Sequence, residues 1–308
     1  MAWVSNHIIP YKRTSRFPIY AGADFQLGSS SCDENIVNQW IRKVAADPNG
    51  MNVILGDITD DDRPTTRERK RAMNADRMDA LRDETLDWLK HKGPRIVEKL
   101  LPLATAGHGC LGMLAGHHWR ELWLPLADGE NGVRTMNSTE WVCREMARLS
   151  GRPVPYLGEM SAWIWLRFRD SDGSGLKGIS RCIHVQHGVG GGQTLASALT
   201  KLEGTQKAIW ADAFIRAHDC KRVGGYIEVL MPKDTEGEPQ IVSKTIPLLN
   251  LGAATRGYDL GRGSPSYVEQ AMMRPTTMGF GRLEAVLHTP PRSVDRAKSL
   301  TCTFEVMP

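Results

Sequence analysis

Aspartate and histidine residues recur along this chain in short polar blocks, and each block follows an apolar run with the composition of a β-strand. The blocks are ADFQ (23–26), GD (56–57), GHH (116–118), QHG (186–188) and AHDC (217–220). Carboxylate, imidazole and thiolate groups are side chains with which proteins hold divalent metal ions. Their recurrence favours one metal or ligand site built from residues that are far apart in the sequence.

The elements that would position these blocks alternate between strands and helices. Buried strands are predicted for the apolar runs FPIYAGAD, MNVILGD, CLGMLAGHH, SAWIWLRF, RCIHVQHG and ADAFIRAH. Helices are predicted at 33–46, about 67–104, about 138–149 and 193–208. This alternation predicts an α/β protein with parallel or mixed sheets, in which side chains converge at the carboxyl ends of the strands.

The chain changes character from about residue 223, where glycine and proline turns separate four runs. These runs are predicted to be antiparallel strands of a second sheet: YIEVLMP, QIVSKTIPLLNLG, MGFGRLEAVLHT and LTCTFEV. Clusters of turn-forming residues predict flexible segments at 59–66, 127–137, 170–178 and 233–239. We find no internal repeat or domain linker, and predict a single domain over 1–308 with a helical excursion at about 63–104.

Composition limits the class of protein. With 308 residues the chain can bury a sizeable core without disulfides. The six cysteines show no CxxC pair, which favours a reduced, intracellular protein. The start, MAWVSNHIIPYKRTSRFPIY, lacks the pattern of a signal peptide, and no apolar stretch approaches the length of a membrane span. We therefore expect a soluble, cytoplasmic protein with no membrane partner.

Two blocks carry carboxylates at predicted strand ends. Asp24 and Gln26 lie two residues apart, so strand alternation would put both side chains on one face. Asp57 follows Gly56, and a carboxylate there can bridge two cations, although aspartate at a strand end more often forms a turn or a cap. Each block alone is therefore weak support for a metal site.

The order and spacing of the blocks resemble the calcineurin-like metallophosphoesterases, whose motifs run DxH, GD, GNHE or GNHD, HG and GHxH. The resemblance covers roughly residues 17–288, and 266–287 resembles the closing helix and strand of phage and bacterial members. It implies a four-layer αββα sandwich with two mixed β-sheets and a metal site at the carboxyl ends of the strands. It also implies that a metal-activated water hydrolyses a phosphodiester or a phosphomonoester.

The resemblance implies two metal positions that share one aspartate. The first would be formed by Asp24, Gln26, Asp57 and Cys220. The second would be formed by Asp57, His117, His187 and His218. His118 would protonate the leaving oxygen. His184 is predicted to be structural, because only His187 precedes glycine as in the HG motif.

Three of these positions depart from the resembled pattern. Gln26 and Cys220 both stand where the family carries histidine, and His117 stands where it carries asparagine. Glutamine is a weak neutral ligand, so the first ion is expected to bind less tightly than the second. Imidazole in place of an amide favours Mn, Zn, Fe or Ni over Mg. The chain is thus predicted to hold one or two divalent transition metal ions. For Cys220 the alternative to a metal ligand is a buried free thiol, which is equally consistent with the sequence.

Two other functions stay open at this point. A scaffold or metal-binding protein that retains the fold without catalysis is favoured by Gln26, His117 and Cys220, whereas His118 argues for an enzyme. A nucleic-acid-binding module would use the basic segment 63–77, for which a solvated helix face is the plainer interpretation. For the enzyme, the same segment weakly favours a nucleic acid or nucleotide as phosphoester substrate. The oligomeric state is left open, and a phage-encoded protein would act in the host cytoplasm.

Overall fold

The computed structural model describes residues 3–11, 15–61, 75–125, 133–171, 178–190, 194–235, 238–258, 275, 277–288 and 301–307. The strands are β1 (Trp3–Tyr11), β2 (Ser15–Gly22), β3 (Met51–Leu55), β4 (Gly109–Leu114), β5 (Glu121–Pro125), β6 (Val133–Asn137), β7 (Ser161–Asp170), β8 (Ile179–Gln186), β9 (Ala213–Arg216), β10 (Val223–Thr235), β11 (Glu238–Asn250), β12 (Gly281–His288) and β13 (Thr301–Met307). The α-helices are α1 (Glu34–Ala45), α2 (Ala75–Asp87), α3 (Gly93–Thr105), α4 (Ser138–Ser150) and α5 (Leu195–Ala208), and a π-helical turn (Trp88–Lys92) joins α2 to α3.

Two mixed sheets organise these strands. The first is six-stranded with the order β1-β7-β8-β9-β11-β10, and the second is five-stranded with the order β13-β12-β2-β3-β4. In the first sheet β8, β9 and β11 are parallel neighbours. In the second sheet β2, β3 and β4 are parallel neighbours. Each sheet therefore has a parallel centre whose carboxyl ends can carry a shared site.

Three buried clusters show that the sheets and helices are stacked in four layers. The largest lies between the two sheets, where Ile164 and Ile183 of the first sheet pack with Val53 and Leu283 of the second. A second cluster joins the outer face of the second sheet to α1, α3 and α4. A third joins α5 to β9 and β11 of the first sheet. The predicted αββα sandwich with two mixed sheets is confirmed.

Local sequence signals explain where the helices begin and end. The Asp33 side chain accepts a hydrogen bond from the Asn35 amide and so caps α1, as Asn137 does for α4. Gly151 ends α4 in the left-handed region, with φ of 67°. In the segment predicted as a helix at about 67–104, the described part is helical from Ala75 to Thr105.

The four tail runs form antiparallel pairs, as predicted, but the prediction that all four complete one second sheet was wrong. Strands β10 and β11 extend the first sheet, whereas β12 and β13 extend the second. Strand β11 runs parallel to β9, because the connection through β10 returns the chain in the direction of β9. In the segment 266–287, which resembles a closing helix and strand, residues 266–274 and 276 lie outside the described residues, and 281–287 belong to β12.

Three further strands were not predicted from the sequence. Strand β1 pairs in parallel with β7, and β5 and β6 form a separate two-stranded sheet. Part of the segment 127–137, predicted to be flexible, is β6, and residues on both sides of 236–237 are paired in the hairpin of β10 and β11. Short strands with mixed composition, such as VRTMN, carry no clear alternation, and their partners stabilise them.

The cysteines with described side chains are free thiols: Cys32, Cys110, Cys143, Cys182 and Cys220. Among the helices that the structure describes, none has the length and apolar character needed to cross a membrane.

His184 is packed in the outer face of the first sheet, opposite to His187, as alternation predicts. Its ring lies 4.9 Å from the Trp163 ring and 5.7 Å from the Phe214 ring. Neither ring nitrogen has a hydrogen-bond partner among the described residues. Burial lowers the pKa of His184 from 6.5 to about 4, so the imidazole is neutral in the folded protein at neutral pH.

When the pH falls from 7 to 5, the free energy of unfolding is therefore expected to decrease by about 2 kcal/mol more in the wild type than in a His184→Leu variant. Between pH 6.5 and about 4 the unfolded chain binds a proton at this position while the folded chain does not. Urea unfolding at both pH values measures the difference. Exposed His288 provides the control variant His288→Leu, and an equal acid-induced loss in wild type and His184→Leu would contradict the prediction.

Candidate metal centre

Three histidines and one aspartate converge where the two sheets meet. Asp57 follows β3, His117 follows β4, His187 follows β8 and His218 follows β9. One potential ligand atom from each of the four lies within 4.8 Å of all the others. The centroids of the three imidazole rings are 4.6, 4.9 and 5.0 Å apart. These residues are separated by up to about 160 positions, and the parallel strands bring them into one group that can hold a metal ion.

His187 is fixed with one nitrogen facing the cluster. The ring is fully buried, and Nδ1 donates a hydrogen bond of 2.6 Å to the carbonyl oxygen of Leu55. Nε2 lies 3.2 Å from the Asp57 carboxylate, but the contact lacks hydrogen-bond geometry, so Nε2 is a buried nitrogen without a hydrogen-bond partner in the described structure. In metal sites a histidine commonly donates one ring N–H to a backbone carbonyl, as His187 does, and this leaves the other ring nitrogen for the metal. The donor set therefore fits a divalent transition metal.

Asp57 is the carboxylate of the cluster. Its Oδ1 accepts hydrogen bonds from the backbone amides of His117 (2.6 Å) and His118 (2.9 Å). Burial would raise the pKa of Asp57, but the adjacent His187 and the amide donors outweigh burial and hold the pKa below its usual value. The carboxylate is therefore ionised, and Oδ2 faces the His187 ring.

The surroundings shift the pKa values of His187 and His218 in opposite directions. Burial disfavours the charged form of His187, yet the carboxylates of Asp57 and Asp24 raise its pKa to about 9. Burial and the adjacent imidazoles lower the pKa of His218 to about 4. A proton on His187 and a cation in the cluster would compete for the same negative charge.

Backbone strain is concentrated at the site. Among the described residues, the non-glycine residues with positive φ are Asp24, Gln26, Asp57, His218 and Cys220, with φ between 46° and 75°. All five were selected from the sequence as site residues. Each such conformation costs on the order of 1–3 kcal/mol and persists only where the surrounding structure imposes it.

The first predicted metal position lies beside the cluster but is not part of it. The prediction that Asp24 and Gln26 alternate along a regular strand was wrong. Strand β2 ends at Gly22, and both residues adopt left-handed backbone conformations. Asp24 Oδ2 accepts a hydrogen bond of 3.1 Å from the His218 amide. Burial, opposed by the charge of His187 and reinforced by that of Asp57, raises the Asp24 pKa.

Cys220 is a protonated thiol in this environment. Burial and the Asp24 and Asp57 carboxylates raise its pKa well above the usual value, and Sγ donates a hydrogen bond to the His218 carbonyl. The backbone N–H of Gln26 donates a hydrogen bond of 2.9 Å to the backbone carbonyl oxygen of Asp57. Asp24, Gln26 and Cys220 thus adjoin the cluster, and their role as ligands stays a prediction.

His118 stands at the edge of the cluster with a partner that the sequence analysis missed. Its Nδ1 lies 3.5 Å from Oδ1 of Asp60, and both side chains are about 40% exposed. Asp60 follows Asp57 by three residues in GDITD, and this short spacing after the GD block is the signal that was available. His118 therefore lies on the solvent-facing side of the site.

Fold and site together define an α/β sandwich protein with a candidate divalent-metal centre at the carboxyl ends of its central strands. No family model matches the chain, and no curated protein matches it.

Among solved structures, the chain is similar to Vps29 proteins. A D62A mutant of Entamoeba histolytica Vps29 is 12% identical, with 95% of this chain and 100% of that one covered and a TM-score of 0.33. Chaetomium thermophilum Vps29 is 10% identical, with 94% of each chain covered and a TM-score of 0.31. Wild-type E. histolytica Vps29 complexed with Zn²⁺ is 11% identical, with 94% and 99% covered and a TM-score of 0.31. At this level of similarity, function must be argued from the site of this chain itself.

Proposed function

We propose that this protein is a metal-dependent phosphoesterase. The observation that carries the proposal is the cluster of Asp57, His117, His187 and His218, whose ligand atoms lie within 4.8 Å of one another beside the exposed edge formed by His118. A buried carboxylate with three imidazoles suits Mn, Zn, Fe or Ni better than Mg. One ion would occupy this cluster, and a second would use Asp24, Gln26 and Cys220 together with Asp57.

The chain positions its groups for attack on a phosphoester. When bound, a divalent cation would activate water and neutralise charge on the phosphoryl oxygens. The Leu55 carbonyl holds the His187 ring, and the amides of His117 and His118 hold the Asp57 carboxylate. These contacts keep the polar groups in place before a substrate arrives.

His118 would supply the proton to the leaving oxygen. Asp60, 3.5 Å from His118 Nδ1, would orient the ring so that Nε2 donates the proton. We propose a phosphodiester, such as a nucleic acid or nucleotide, ahead of a phosphomonoester. Support for that choice is the basic segment 63–77, whose side chains lie outside the described residues.

Removing the His118 imidazole tests this assignment. His118→Ala is expected to lower kcat on bis-p-nitrophenyl phosphate about 100- to 10,000-fold, the usual contribution of a general acid, while metal content stays at the wild-type level. Assays run with Mn, Co, Ni, Zn and Mg, alongside elemental analysis of the same preparations. His288→Ala is the control, because His288 lies on β12 near the start of β2, at the opposite end of that sheet from the site. Wild-type turnover by His118→Ala would remove His118 from the mechanism.

A second candidate function is a metal-binding scaffold without catalysis. The protonated Cys220 thiol and the neutral Gln26 favour it, because neither attracts a cation strongly. The same assay separates the two functions. A wild-type protein that retains metal but turns over neither bis-p-nitrophenyl phosphate nor p-nitrophenyl phosphate with any of the five metals would be a scaffold.

A further inference from the structure

A buried group of charges adjoins the histidine cluster. Asp219 lies between His218 and Cys220, and its side chain is fully buried. Oδ1 accepts a hydrogen bond of 2.6 Å from Lys201 Nζ, and Oδ2 accepts one of 3.0 Å from Arg216 Nε. Both carboxylate oxygens are thus bound to cationic side chains, so Asp219 is committed to these partners and not to a metal.

The same two cations also hold the loop that follows His187. Arg216 Nη2 donates to the Val189 carbonyl at 3.0 Å, and Lys201 Nζ donates to the Gly190 carbonyl at 2.6 Å. The approach is close, since a Cβ atom on Gly188 would lie 2.8 Å from the Arg216 guanidinium. The group Lys201, Arg216 and Asp219, which we call the charge clamp, therefore joins the loop after His187 to the turn that carries His218.

The turn that carries His218 needs external support. His218 and Cys220, on either side of Asp219, have φ values of 75° and 49°, in the region that L-residues rarely adopt. A single turn with two such residues is strained. The ion pair of Arg216 and Asp219 is buried, and that of Lys201 and Asp219 is partly buried, so both are screened less than surface pairs. The charge clamp is thus placed to hold the strained turn in one conformation.

We propose that the charge clamp is a positioning device that sets the geometry and the cation affinity of the histidine cluster. By fixing the main chain on either side of the site, it fixes the separation of the His187 and His218 rings, which are 5.0 Å apart. Supporting residues of this kind typically change metal affinity 10- to 100-fold when they are removed. This inference rests on the proposed function only in requiring that the cluster binds a cation.

Titration with Co²⁺, followed by its visible absorption, tests the inference. Asp219→Asn is expected to weaken Co²⁺ binding about 10- to 100-fold and to change the ligand-field spectrum of the bound ion. The matched control is Asp212→Asn. Asp212 is also buried and paired with a lysine, Lys244, but it precedes β9, whereas Asp219 follows that strand. Asp212→Asn is expected to keep both wild-type affinity and wild-type spectrum.

A second variant separates position from charge. Lys201→Met removes a positive charge, which by electrostatics alone would strengthen cation binding. It also removes the contact with Gly190, so positioning predicts weaker Co²⁺ binding and an altered spectrum. Lys201→Met retains the pair of Arg216 and Asp219. If circular dichroism shows that Asp219→Asn does not fold, Co²⁺ binding by Lys201→Met tests the positioning role by itself.

The outcomes distinguish this inference from the proposed function. Wild-type affinity and spectrum in folded Asp219→Asn, or unchanged or tighter binding by Lys201→Met, would overturn the positioning role and leave the metal centre intact. Absence of Co²⁺ binding by the wild type would overturn both.

Discussion

His187→Ala is expected to reduce the affinity for Co²⁺ or Zn²⁺ by more than about 100-fold, beyond the loss typical of a supporting residue. His187 contacts both other imidazole rings and lies 3.2 Å from Asp57, so its removal opens the centre of the cluster. The variant also frees the Leu55 carbonyl, which accepts the hydrogen bond that now fixes the ring.

Competition with a chromophoric chelator measures this affinity at fixed pH. The pH must be held constant, because the His187 proton competes with the cation below its raised pKa of about 9. His184→Ala is a matched control, since it removes an equally buried imidazole three residues earlier, on the opposite face of the first sheet. If His187→Ala and His184→Ala bind the cation equally well, the cluster is not the binding site.

The convergence of the polar blocks could be predicted from the sequence, because one physical rule describes where they lie. Each polar block comes directly after a buried parallel strand, and the carboxyl ends of such strands meet at one edge. This rule predicted that the blocks converge, whereas the grouping of Asp57, His117, His187 and His218 was implied by the family resemblance. The structure gathers these four. Their role as metal ligands is still a prediction that cation titration must test.

The supporting contacts of the site could not be predicted in the same way. Lys201 lies on a helix 18 residues before Asp219, and no spacing rule links them. Whether Asp219 would bind a metal or a lysine depends on the turn at His218, which was not evident from AHDC alone. Asp60 could have been predicted as a site residue, because it lies only three residues after Asp57 in the sequence.

The main fold error has a topological cause. The tail strands were correctly identified as strands, but their pairing depends on the direction in which β10 returns the chain toward β9. Composition and alternation describe a strand and one face of it, and they carry no information about its neighbours. The division of the tail between two sheets therefore needed the three-dimensional structure.

Gly116→Ala is expected to destabilise the protein by more than about 3 kcal/mol and to abolish cation binding. Gly116 has φ of 80°, and a Cβ atom there would meet the Asp57 carboxylate and lie 2.6 Å from the Asp57 backbone nitrogen. Those Asp57 atoms cannot move away freely, because Oδ1 is bound by the amides of His117 and His118. Overpacking at this point therefore displaces the carboxylate that the cluster needs.

Gly151→Ala separates this steric effect from the cost of the left-handed backbone alone. Gly151 has φ of 67°, but a Cβ atom added there would have no described neighbour within 4 Å, so its replacement should cost only about 1–2 kcal/mol and leave cation binding unchanged. Urea unfolding of both variants, together with Co²⁺ titration, compares the two positions. If Gly116→Ala is as stable as Gly151→Ala and still binds Co²⁺, then Asp57 can shift without loss of the site. That result would contradict the prediction drawn from the close approach of Gly116 to the Asp57 carboxylate.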